Sequence, residues 1–125
     1  MKEFNFTPIV SEVVICGVKL TVDCRKVRAK LNEYGKEFGE MSRKLKAGEI
    51  APSAVTTRYT TMLAELIGEK ETKAVLKDSS ATLTDMVDIM FYLLDVCKEA
   101  EEEHAQALIF DMNEATKAFS NDEKS

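Results

Sequence analysis

Glu101-Glu102-Glu103-His104 is the stretch whose residue types and spacing come nearest to a metal site. The E-x-x-H spacing sets Glu101 and His104 on one face of a helix, and di-iron bundles use two such motifs with two further Glu on facing helices. The chain has 1 His, so a single copy cannot supply both motifs. Two copies would have to meet across a dimer to complete the set. The other reading is a solvated acidic face that carries a surface His, and on it no metal and no cofactor is expected.

The remaining reactive groups are sparser. Cys16, Cys24 and Cys97 are odd in number and lack C-x-x-C spacing, which points to reduced thiols in a cytosolic protein. They read as small buried apolar residues rather than nucleophiles. Ser79-Ser80 reads as a helix break and capping pair. No Gly-rich phosphate loop follows a strand, and no nucleophile has a His near it in sequence. Arg25, Lys26, Arg28 and Lys30 form a basic stretch that could contact phosphates, but no aromatic platform interleaves it. These residues point to no reaction, and the chain is expected not to be an enzyme.

Composition narrows the class. The chain has 125 residues, 45% of them hydrophobic, which fits one domain with one modest core. The net charge of −5 argues against nucleic acid as the main partner. The start, MKEFNFTP, lacks a signal-peptide core, and no apolar run approaches the ~20 residues of a membrane span. A soluble, cytoplasmic protein is expected. Charge is unevenly placed. Residues 25–48 carry eight Lys/Arg and three Glu, a net of +5, whereas residues 83–125 carry eleven Asp/Glu and three Lys, a net of −8. The two regions attract each other, within one chain or head-to-tail between chains.

The elements that must position these groups are mainly helical (α+β): a short N-terminal antiparallel β-hairpin, then about four helices, the last one long. In EVVICGVKLTVD a Cys16-Gly17 turn pairs Ile15 with Val18 and Val13 with Leu20, so all the larger apolar side chains except Val14 share one face. A third strand at Phe4 to Phe6 is possible, with Pro8 separating it. Asp23 can cap a first helix whose stripe runs Val27, Leu31, Tyr34, Phe38, Met41, Leu45 and ends near Gly48. Gly35 and Gly39 could admit a neighbouring backbone. Pro52 opens a second helix with Val55, Tyr59, Met62, Leu63, Leu66 and Ile67 inward, and Gly68 stops it. A short helix with Val75 and Leu76 inward precedes a polar break at Asp78 to Ser80.

The last segment is the longest. Thr82 and Asp85 form a capping box, and no Gly or Pro interrupts Leu83 to Phe119. As one helix it would be about 55 Å long, against roughly 35 Å across for a compact domain of this size. It must break or project. Its first half, to Cys97, has apolar residues on most sides and reads as the central helix of the body, 24–100. Beyond Glu101 to Glu103 a thinner stripe resumes through Leu108, Met112, Ala115 and Phe119, with Ile109 and Phe110 beside it. This arm, 101–119, either folds along the core or offers its apolar face to another chain. Residues 120–125 read as a polar tail without structure.

The hairpin VVICGVKLTVD leading through a capping Asp into a long basic helix, followed by MLAELIGEKETKAVLKDSSATLTDMVDIMFYLLDVC, resembles the small tail assembly chaperones of long-tailed (siphophage-type) bacteriophages or prophages. The likeness covers about residues 12–100 and is one of element order. It implies a non-enzymatic protein that coats the tape measure protein, keeps that long helical chain soluble and helps tail-tube subunits assemble. In many phages a translational frameshift adds a C-terminal extension that contacts tube subunits. Leu108, Met112 and Phe119 are the candidate client or self contacts; Arg25, Lys26 and Arg28 with Glu101, Glu102 and Glu103 are the candidate assembly charges, in a homo-oligomer or with a client. The alternatives are a small nucleic-acid-binding regulator that uses the basic helix, a helical metalloenzyme completed across a dimer, and a helical interaction protein of another kind.

Overall fold

The computed structural model describes residues 1–77 and 81–124, with 120–124 described as backbone. The Ser79-Ser80 break lies outside the described residues. The order is β1 (Val10–Ile15), β2 (Val18–Asp23), α1 (Cys24–Lys46), α2 (Pro52–Ile67), α3 (Glu69–Val75) and α4 (Leu83–Lys124). The architecture is mainly helical, with an N-terminal two-stranded hairpin and four helices, the last long.

The hairpin has the expected register, Ile15 with Val18 and Val13 with Leu20. Cys16 and Gly17 sit at φ 51° and 80°, the positive pair that a two-residue turn needs to match strand twist. Ile15, Leu20 and Val22 are buried and Val14 is exposed. Two strands cannot bury this face alone, and β1 packs on α1 and α4 while β2 packs on α1, α2 and α3. The Cys24 backbone N–H donates to the Ile9 carbonyl at 2.8 Å, which fastens the start of α1 to the hairpin. Phe4 to Phe6 do not form the third strand. Their rings instead meet edge to face at 5.4 Å, and both remain exposed. Pro8 cannot donate to a ladder, so the segment is cut off from the hairpin.

Three of the helices begin on residues that favour a start, and a glycine parts α2 from α3. The Asp23 carboxylate accepts from the Lys26 N–H at 3.2 Å and caps α1. Pro52 occupies the first turn of α2. Gly68, at φ 104°, joins α2 to α3, a conformation strained for any L side chain. Thr82 and Asp85 close the capping box reciprocally, at 2.8 and 3.2 Å.

The core lies where α1, α2 and α4 meet. Val27, Tyr34 and Met41 of α1 are buried with Val55, Tyr59, Met62, Leu63 and Leu66 of α2, and with Met86, Ile89, Met90, Leu93 and Cys97 of α4. The first half of α4 carries apolar residues on most sides, as expected, but it is not enclosed on all of them. Phe91 is 61% exposed and Tyr92 is 43% exposed, because the body covers α4 from one side only. Gly35 and Gly39 meet no neighbour among the described residues of their own chain: both are exposed, and a Cβ at either would meet nothing within 4 Å. Leu93 is fully buried, so Leu93→Ala is expected to cost about 2–5 kcal/mol in urea unfolding. A cost under about 1 kcal/mol would remove α4 from the centre of the core.

Candidate interaction surface

α4 is continuous. Its 42 residues make about 63 Å at 1.5 Å per residue, and the helix runs on through residues 120–124, where a polar tail was expected. Burial along it ends at Cys97. Ala100 packs partly on the core, and Glu101 is half-buried. From Glu102 to Phe119 every side chain is exposed except Ala115, which is half-buried. The helix therefore projects rather than breaks, and among the described residues nothing covers the stripe. Leu108, Ile109, Phe110, Met112 and Phe119 are 52–69% exposed. Sequence reasoning located this stripe, and the structure decides that it does not fold back.

The body ends at an ion pair. Arg28 Nε donates to Glu101 Oε1 at 3.1 Å, joining α1 to α4. Two of the candidate assembly charges therefore meet within one chain. The others are apart from them: Glu102 and Glu103 are exposed on α4, Lys26 is exposed on α1, and the Arg25 guanidinium lies 5.4 Å over the Phe6 ring. Because Glu101 is engaged by Arg28, its pairing with the exposed His104 across one helical turn is weakened as a metal site. Among the described residues no group of three or more His, Cys, Asp or Glu could hold a metal ion.

The thiols divide. Cys24 and Cys97 are fully buried, as expected, whereas Cys16 is exposed in the hairpin turn, because a two-residue turn leaves its central side chains in solvent. Burial, followed by the hydrogen bond with Cys24, pushes the Cys97 thiol up to about 12. It is thus kept as a neutral thiol at ordinary pH, the opposite of what a nucleophile needs.

Beside the stripe's own helix lies an apolar cleft of about 370 Å³ between α1, α2 and α4, lined among others by Leu31, Phe38, Val87, Met90, Phe91 and Leu94. A larger hollow of about 610 Å³ on the outer face of the hairpin is more polar, with Glu12, Lys19 and Thr21 in its wall. The cleft went unread in the sequence because its walls come from three helices. Phe91 was the available signal, an aromatic on the solvent side of the α4 stripe.

A second feature went unread as well. Arg58 of α2 donates to Glu37 of α1 at 2.5 and 3.0 Å, stands 3.9 Å from Glu65, and lies 5.7 Å over the Tyr34 ring. The Tyr34 hydroxyl donates to Glu65. These four groups lock α1 to α2 at the edge of the core. Burial, then the Glu65 contact, pushes the Tyr34 phenol well up, so it stays a donor. The hydrogen bond from Arg58 holds the Glu37 carboxyl below its usual 4.5.

A depressed carboxyl stabilises the fold fully above its unfolded value, and that contribution is lost as pH falls through the lower folded value. Arg58 and Glu37 are each about a third exposed (35% and 36%), so screening limits the pair to about 0–1 kcal/mol. Glu37→Gln is expected to cost no more than about 1 kcal/mol at neutral pH and to flatten part of the stability loss below pH 4.5. Acid unfolding curves of equal steepness for the two proteins would show that the pair does not contribute. No protein-family model matches the chain, and no curated protein or solved structure matches it significantly.

Proposed function

We propose that the chain is a non-enzymatic assembly chaperone for a long helical client, of the kind in which a phage tail assembly chaperone acts on the tape measure protein and assists tail-tube assembly in the host cytoplasm. The observation that carries this reading is the bare apolar stripe on a projecting helix. Five large apolar side chains on one exposed helical arm (Leu108, Ile109, Phe110, Met112 and Phe119) are costly to leave in water and suit a helix-in-groove contact. Met112 adds an adaptable surface. The arm's acidic girdle, Glu101 to Glu103, sets the field around that contact and steers approach more than it secures it.

A catalytic reading draws no support from the thiols or from Glu101 and His104, for the reasons given by their geometry. The nucleic-acid reading is weakened because Arg28 is engaged by Glu101 and Arg25 by Phe6, which leaves a smaller basic face to meet phosphates.

Met112→Asp combined with Phe119→Asp is expected to reduce capture of a co-expressed tape measure protein at least about tenfold with helical content preserved in circular dichroism. Undiminished capture would end the assignment of the arm. In the coding DNA, a slippery run near the 3′ end, an overlapping frame and a very long helical frame downstream are the expected neighbours. Their absence would return the chain to a helical interaction protein of another kind.

A further inference from the structure

We propose that the arm is covered by a second copy of this chain, with the two α4 helices laid antiparallel so that each arm occupies the other copy's α1–α4 cleft. This rests on the reading of the arm as a protein-binding surface and names what covers that surface when no client is bound.

The first support is the pitch of α4. Leu83, Val87, Met90 and Leu94 follow one another at spacings of four, three and four, and so do Leu108, Met112, Ala115 and Phe119. Leu94 and Met112 are about five turns apart at 3.6 residues per turn, as are Phe91 and Ile109. The arm stripe therefore leaves the same side of α4 as the cleft wall formed by Val87, Phe91 and Leu94. A helix whose two halves carry matching stripes on one face can pack on its own copy reversed end for end. Pairing about Glu101 sets Leu83 opposite Phe119, Val87 opposite Ala115, Met90 opposite Met112 and Leu94 opposite Leu108. That spacing suits interdigitating helices at a shallow crossing angle.

Charge and space agree with this pairing. Residues 101–119 carry five Asp/Glu and one Lys, a net of −4, whereas residues 25–48, which hold the other wall of the cleft, carry a net of +5. At the centre the two Glu101 carboxylates approach each other, and each arrives held by its own Arg28 at 3.1 Å, which removes most of the like-charge penalty. On α1, Gly35 and Gly39 follow Leu31 and Asn32 at helical spacing on the cleft side. The open space around both allows the incoming helix to lie close to the α1 backbone. The arrangement is isologous, so two equal arm–cleft contacts form together and the assembly closes at two copies.

The test is sedimentation of the whole chain, wild type and two variants, one on each surface. Phe91→Asp changes the cleft rim and Met112→Asp the arm. Both residues are largely exposed, so both variants keep their helical content. The wild type is expected to sediment as a dimer, and each variant to raise the dimer dissociation constant at least about 100-fold. An equimolar mixture of the two is expected to recover more dimer than either alone, because the mixed pair retains one unaltered arm–cleft contact. A wild-type chain that stays monomeric at about 100 µM, species that grow beyond the dimer with concentration, or an unaffected Phe91→Asp protein would each overturn the proposal. None of these readings depends on the tape measure protein, so client capture in the preceding experiment judges the chaperone reading separately.

Discussion

The fold depends on one unequal pairing: a helix of 42 residues packed on a body that covers less than half of its length. Where α4 meets α1 and α2 its side chains reach full burial at Leu93 and Cys97, in one core with Val27, Met62 and Leu63, which are buried to the same degree. Each such side chain stabilises the fold by about 1.5–3 kcal/mol relative to exposure. That contact fixes the hairpin as well, since β1 packs on the same helix. Past Cys97 the body ends and the helix does not. No Gly or Pro stops it, and backbone hydrogen bonds once nucleated propagate at little cost.

Polar contacts mark the edges of that core rather than fill it. Arg28 and Glu101 sit where the covered part of α4 gives way to the bare part. Arg58, Glu37, Glu65 and Tyr34 hold α1 against α2 on another edge. Exposed pairs of this kind add little to stability, and their effect is orientation: they fix the direction in which the arm leaves and the angle between the two helices that wall the cleft. The chain thus presents a rigid body, a projecting apolar stripe and an apolar cleft from a single helical packing.

Much of this could be read from spacing alone. The hairpin register follows from the Cys16-Gly17 turn together with alternation from Val18 to Val22, because a shift of one residue would turn every apolar side chain outward. The α1 stripe and the caps at Asp23, Pro52 and Thr82 are local, so neighbouring residues determine them. The misreadings have a common cause. Phe4 to Phe6 looked like a strand, Cys16 looked like a buried residue, and the first half of α4 looked enclosed, because residue type indicates what a position tolerates and not what stands opposite it. The cleft and the Arg58 network join helices far apart in sequence, and no periodicity within one helix reports them.

By itself, then, the amino-acid order determined the elements, their caps, the buried face of each helix and the presence of a second, thinner stripe beyond Glu101. These depend on interactions between residues a few positions apart, which the chain carries with it wherever it goes. The tertiary structure alone decided that this stripe is bare among the described residues, that α4 is continuous through the acidic girdle, and that an apolar cleft lies beside it. Those properties depend on how far the body reaches along α4, a length set by the packing of α1 and α2 and written in no single segment.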